Sequence, residues 1–411
     1  MHVLFLTDNF PPEFNAPAIR TDAHCRVWVK KGHCVTVITG APNHPRGKVY
    51  EGYKNRLWQT EIVDGIRVIR VWTYMAPNAG RWKRILDYLS FMIAAVVASI
   101  FVRGIDVVIG TSPHLFTVLA AHIVAALKRR PWVFELRDLW PASIRDIGVM
   151  RRGLGAADWV VRGLYRNASK IVVVTDAFRH ELIKSGIPDE KIAVVTNGVD
   201  RRVLRPSHKN EKLEQTLGIA GKFVVGYIGT IGMSHGISTV VQAAKRLKDD
   251  PNITFVLIGD GAERASVLEQ AGARPNLVMV PPVLHCDIQK YWSVLDCCIV
   301  PLRDKPVFKT VIPSKLFEAM AMGVPVLLGV QGQALRLVEQ YDFGRPFAPE
   351  DDADLANKIV DLSQDSRLQS MLSENAKRAA GDFDRDDLAV KMLAVLHAVA
   401  SRTEYIPPTS L

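Results

Sequence analysis

The sequence predicts an α/β chain of two doubly wound domains, and three observations carry that reading. Apolar runs bounded by loops, HVLFLT at 2–7 and KFVVGYIG at 222–229, each open a strand–loop–helix–strand series typical of a buried parallel sheet. Between the series, RRVLRPSHKNEK is polar, basic and aperiodic, which places a linker at about 201–212 and the domains at 1–203 and 213–384. The 411 residues are enough to give each domain its own core.

Composition narrows the class. Hydrophobic residues near half and charged residues near a quarter are ordinary for a soluble globular protein. A net charge of +10, from 52 basic and 42 acidic residues, implies an acidic partner: a phosphate-bearing substrate, anionic lipid or nucleic acid. Basic patches interleaved with aromatics are not evident, which argues against a non-catalytic nucleic-acid binder. The five cysteines are scattered, with neither metal-ligand spacing nor a disulfide framework, so a cytoplasmic setting is the simpler expectation. The opening MHVLFLTDNF turns polar too quickly for a signal peptide and reads as a first strand.

In the first domain, the loop DNFPPEFNAPAIR leads into a helix to about Lys31 and then the strand GHCVTVIT. A hairpin-like strand pair follows around Asp64-Gly65. RWKRILDYLSFMIAAVVASIFVRG (81–104) reads as a helix covering the sheet, with Asp87 arguing against a membrane span. Its basic start, Arg81, Lys83 and Arg84 beside Trp82, suits an anionic membrane surface. The loop TSPH, with His114, falls at the carboxyl end of a strand, where open α/β sheets place ligands. PWVFELRDLWPASI ends a strand in Glu135, Arg137 and Asp138. Charges there must be paired or used, because burying them alone is costly. Asp138 is a candidate for holding the acceptor hydroxyl, as general base or orienter; the alternative is a structural Arg137–Asp138 pair.

The second domain carries the sharpest signal, KTVIPSKLFEAMAMGVPVLLG at 309–329. Pro313 suits a first helical turn, an apolar face runs through Leu316 and Phe317, and Gly323 suits the stop. The amides of Ser314, Lys315 and Leu316 then form a positive helix end beside Lys309 and Lys315, an anion site. Glu318, one turn further, suits two sugar hydroxyls. Together they predict a seat for the diphosphate and ribose of a nucleotide sugar. The glycine-bearing loop TIGMSHG (230–236), reached through Gly229, lies after the first strand of this sheet.

SKLFEAMAMGVPVL resembles the acidic motif region of family-4 retaining glycosyltransferases, whose pattern is two glutamates eight positions apart. The second falls on Glu318; Thr310 stands in place of the first, which implies a different donor sugar or a weaker hold on it. RDLWP is similar to a bacterial subgroup of O-antigen, capsule and exopolysaccharide transferases, including fucosaminyl transferases, and NGVD to the family's strand-to-linker signature. The resemblance implies the GT-B architecture: two Rossmann-like domains facing across a cleft, with a helix at about 385–402 crossing back to the first. It implies retaining transfer from a nucleoside-diphosphate sugar, UDP-linked and in this subgroup an N-acetylated deoxyhexosamine, to a lipid-linked saccharide at the inner membrane face. Asn15-Ala16 replaces a glycine pair that approaches donor phosphate, and Thr230 and His235 replace a phosphate-neutralising Arg and Lys. The charge is therefore assigned to Arg303, Lys309 and Lys315. Val283 falls at the nucleobase, and His114 near a histidine that faces the donor sugar. No metal or cofactor is expected. A sugar-nucleotide 2-epimerase of the same architecture is the alternative enzyme.

Overall fold

The protein is described by a computed structural model covering residues 1–43, 47–75, 81–139, 154–272 and 274–401. It divides into two compact units, Met1–Thr196 joined by the last helix, and Asn197–Asp384.

The first unit is an eight-stranded sheet. In chain order the strands are β1 (His2–Leu6), β2 (Cys34–Gly40), β3 (Trp58–Val63), β4 (Ile66–Val71), β5 (Val107–Thr111), β6 (Trp132–Leu136), β7 (Lys170–Val173) and β8 (Ile192–Val194). Across the sheet they run β3-β4-β2-β1-β5-β6-β7-β8. All neighbours are parallel except β3 and β4, joined at Asp64-Gly65, where both residues take the positive φ that a tight hairpin turn needs. β1, β5 and β6 are buried along nearly their whole length, which is why they read as unbroken apolar runs. The helices are α1 (Ala16–Lys30), α2 (Arg81–Ile100), α3 (Leu115–Lys128), α4 (Leu154–Asn167) and α5 (Asp176–Lys184).

The C-terminal helix, Arg385–Ala400, completes this unit's core. Leu388, Met392, Leu393, Leu396 and Val399 pack with Phe5 and Trp28, and the Trp28 indole donates to the Ala389 carbonyl at 2.9 Å.

The second unit is a parallel six-stranded sheet in the order β11-β10-β9-β12-β13-β14. Its strands are β9 (Phe223–Ile228), β10 (Ile253–Ile258), β11 (Leu277–Val280), β12 (Cys297–Pro301), β13 (Val326–Gly329) and β14 (Gly344–Pro346). Its helices are α6 (Glu211–Leu217), α7 (Ile237–Arg246), α8 (Arg264–Ala271), α9 (Ile288–Trp292), α10 (Ser314–Met322), α11 (Gln333–Tyr341), α12 (Asp352–Gln364) and α13 (Ser366–Ala379). The chain leaves the first unit at Thr196, earlier than the boundary at 203 expected from the sequence. Val199 and Leu204 are apolar side chains that the second core buries, and Val199 pairs with Asp384, so the polar run that follows begins already inside that unit.

Candidate active site

Both units present their polar clusters at the carboxyl ends of their central strands, where parallel sheets leave backbone ends and loops for ligands. In the second unit the loop Gly229–Gly236 joins β9 to α7, and α10 begins close beside it. A Cβ on Gly229 would lie 2.5 Å from Lys315 Cε and 2.7 Å from Nζ, so glycine is what lets the ammonium rest on the backbone. A Cβ on Gly259, after β10, would collide with the Gly229 carbonyl, so a second glycine lets the two loops meet.

Lys315 is half-buried, with Nζ 4.7 Å from the Tyr227 ring centroid, a cation–π contact. Burial lowers its pKa; the Glu318 carboxylate, one turn further along α10, opposes that. The Tyr227 hydroxyl donates to the Thr230 carbonyl and fixes the loop. His235 lies on the other side of Tyr227, ring centroids 6.4 Å apart. Its Nδ1 is buried without a hydrogen-bond partner, and its pKa is pushed down to about 4, first by burial and then by the Lys315 charge. The Gly232 backbone, whose carbonyl accepts from the His235 amide at 2.9 Å, pulls the other way.

α10 starts at Pro313 with no side-chain cap, so its first-turn amides point out of a positive helix end. Of the three amides expected there, Leu316 N–H donates to Pro313 O at 3.0 Å and its side chain is fully buried, so Leu316 is a core residue closing the turn. Ser314 and Lys315 remain at the end, Ser314 exposed.

The remaining expected donor residues are placed differently. Arg303 donates to Glu263 at 3.2 Å and to the Met233 carbonyl at 2.6 Å, so its charge ties the loop to the segment before α8. Lys309 stands 3.6 Å from Asp304, an exposed pair. The Thr310 hydroxyl donates to Val307 O at 2.8 Å. Val283 lines a cavity of about 450 Å³ together with Asn210, Leu213 and Tyr291, on the α6 and α9 side of the unit.

In the first unit, Asn15 caps α1: its side chain accepts from Ala18 N–H at 2.9 Å and donates to Asn9 at 2.7 Å. That is a helix-start role for the residue that stands where the resembled family has its glycine pair. His114 Nε2 lies 3.2 Å from Asp8, and its ring meets Tyr88 edge-on at 4.3 Å. Ser112 Oγ accepts from the amides of Arg137 at 2.8 Å and Asp138 at 3.3 Å, which fixes the turn after β6. Burial raises the Asp138 pKa, while Arg137 and His114 oppose it. Glu135 pairs with Arg20 at 2.9 Å. No Arg137–Asp138 ion pair is present among the described residues, so the structural pair weighed from the sequence is replaced by Arg20–Glu135. At the start of α2, Lys83 is exposed; the side chains of Arg81, Trp82 and Arg84 lie outside the described residues.

Sequence reasoning missed Tyr227, Asp8, Ser112 and Tyr88. The first three end or follow apolar strands, a positional signal that was available; Tyr88, on a helix, carried none.

Comparison with known proteins matches these two units. A family model described as Glycosyl transferase 4-like domain covers residues 16–198, and one described as Glycosyl transferases group 1 covers residues 222–365. The chain is a glycosyltransferase of the GT-B fold, of the group 1 and 4-like type. A protein of Escherichia coli (strain K12) named as the colanic acid biosynthesis glycosyl transferase WcaI is 25% identical over 339 residues, 79% of this chain and 82% of that one. Among solved structures, a sucrose-phosphate synthase from Thermosynechococcus elongatus superposes with a TM-score of 0.77 at 17% identity, covering 98% of this chain and 100% of the other. The Anabaena protein HepE in complex with UDP and glucose does so with a TM-score of 0.72 at 20% identity, covering 96% and 99%.

Proposed function

We propose that the chain transfers a sugar, with retention at the anomeric carbon, from a UDP sugar to a lipid-linked saccharide in the assembly of a cell-surface polysaccharide. The observation that carries the donor half is the Lys315 ammonium resting on Gly229 at the N-terminal end of α10, with Glu318 one turn on. The ammonium and the helix-end amides stabilise the departing diphosphate without a metal, and Glu318 holds the ribose. The HepE complex with UDP supports the nucleotide, and the colanic acid named for the relative supports the product class. We assign an N-acetylated deoxyhexosamine as the sugar. In the reaction the bond from C1 to the diphosphate oxygen breaks as the acceptor oxygen joins C1 on the same face. Asp138, raised toward neutrality by burial, holds the acceptor hydroxyl and accepts its proton, and His114 orients the group.

Contact with an anionic membrane surface is supported by α2. Leu86, Ile93, Val97 and Ile100 share one helix face and are exposed, and Phe101, 66% exposed, extends it. Trp58 on the edge strand β3 meets Phe101 at 5.8 Å, and Leu57 and Ile62 are exposed beside it. Lys83 and Arg103 are exposed at the two ends, a cationic rim suited to a peripheral protein. No helix is long and apolar enough to cross a membrane among the described residues.

The test is donor turnover with and without a polyprenyl-diphosphate saccharide. Transfer predicts free UDP released in proportion to acceptor added. Conversion of the UDP sugar to an isomer without acceptor would instead make the enzyme an epimerase.

A further inference from the structure

Among the described residues of the first unit, Arg137 is a charge whose side chain makes neither a hydrogen bond nor an ion pair, although the Glu135 carboxylate lies within reach of its field. Arg137 follows β6, its amide bound to Ser112, and its side chain is half-buried. The Nε and Nη1 groups are shut off from solvent, and neither has a hydrogen-bond partner among the described residues. The Glu135 carboxylate pairs with Arg20 through Oε1 and leaves Oε2 buried without a hydrogen bond, while Arg20 also donates to the carbonyls of Val195 and Thr196. Two guanidinium groups therefore share one carboxylate, Arg20 through a hydrogen bond and Arg137 through charge alone, which leaves one positive charge in excess. The other side chains around them are His24, buried with an unpaired Nδ1, and Asp138, which forms no ion pair with Arg137. Burial of His24 keeps its imidazole neutral, so it adds no anion. A shielded guanidinium left unpaired is destabilising, and its planar donor fork matches a phosphate or carboxylate.

We propose that Arg137 is a subsite for an anionic group on the acceptor, placed one residue from Asp138 at the end of β6. The inference rests on the reading that this unit binds the acceptor; it does not depend on which donor is used. Two acceptor features carry such a group: the diphosphate of a polyprenyl carrier, or the carboxylate of an acidic sugar. The geometry puts Arg137 beside the residue that holds the reacting hydroxyl, so the anion lies close to the first transferred bond.

The test compares full-length wild type with Arg137→Met and Arg137→Lys by thermal unfolding, in saturating UDP so that the donor seat is filled. If Arg137 waits for a ligand anion, Arg137→Met unfolds at the same temperature as wild type or about 2 °C or more higher. A drop of several degrees would mean that Arg137 serves Glu135 structurally, for instance through a bridging water, and would overturn the proposal. Farnesyl diphosphate and glucuronate are then added separately. A rise in unfolding temperature with either, present in wild type, lost in Arg137→Met and partly kept in Arg137→Lys, supports the subsite and tells phosphate from carboxylate. Rises equal in wild type and Arg137→Met, or absent in both, would overturn it while leaving the donor assignment standing.

Discussion

Lys315 is the residue on which the donor half turns. An ammonium laid on a glycine backbone and an aromatic face is preorganised, so its loss removes stabilisation that forms only as the diphosphate departs. Lys315→Ala and Glu318→Ala are each expected to lower turnover by about a hundredfold or more with the fold retained. Near-normal rates in both would remove the assignment. His235 adds a pH signature. With its pKa at about 4 the free imidazole is neutral at pH 7. A diphosphate seated beside it raises that pKa, so binding takes up a proton and this contribution to UDP affinity grows as pH falls from 7 toward 5. Calorimetry in buffers of different ionisation enthalpy should show more proton uptake by wild type than by His235→Asn; equal uptake would contradict it. Lys315 and Glu318 were legible because Pro313 fixes the helix phase and Gly323 its end. The fates of Arg303 and Arg20 were not, because their partners Glu263 and Glu135 lie far away in the chain and only tertiary packing pairs them.

At the scale of elements, the strands were legible wherever both faces are buried, as in β1, β5 and β9, since continuous apolar runs have few other uses. The linker was less so: composition marks a polar run, but the boundary is set by which core takes Val199 and Leu204. In α2 the sequence drew attention to the basic start, whereas the exposed apolar face from Leu86 to Phe101 emerges only once the buried face is known from Phe91, Ala95 and Ala98. Flotation with anionic liposomes should carry the wild type upward. Ile93→Asp with Val97→Asp should leave it at the bottom with unfolding temperature nearly unchanged, since both side chains are already in solvent. Unaltered flotation would exclude this face, and a wild type that stays at the bottom would argue for a soluble acceptor.

At the scale of the molecule, two separately cored units predict unfolding in which donor nucleotide protects one of them. UDP at about 100 times its Kd should stabilise the second unit by about 2.7 kcal/mol and leave the first nearly unchanged. The first unit carries its own acid sensitivity. Burial alone would raise the Glu135 carboxyl, but the Arg20 and Arg137 charges outweigh it and hold it at about 2, against 4.5 for an ordinary glutamate. Its contribution is present above about 4.5 and is lost as pH falls toward 2, so Glu135→Gln should flatten that part of the stability profile. The central claim is that a diphosphate sits on the Gly229 loop and the start of α10. A crystal structure with bound UDP tests it most directly. The account predicts a phosphate oxygen within about 3.2 Å of Lys315 Nζ and the ribose hydroxyls on Glu318. UDP lodged elsewhere, with Lys315 still against Tyr227 and no phosphate near it, would contradict it.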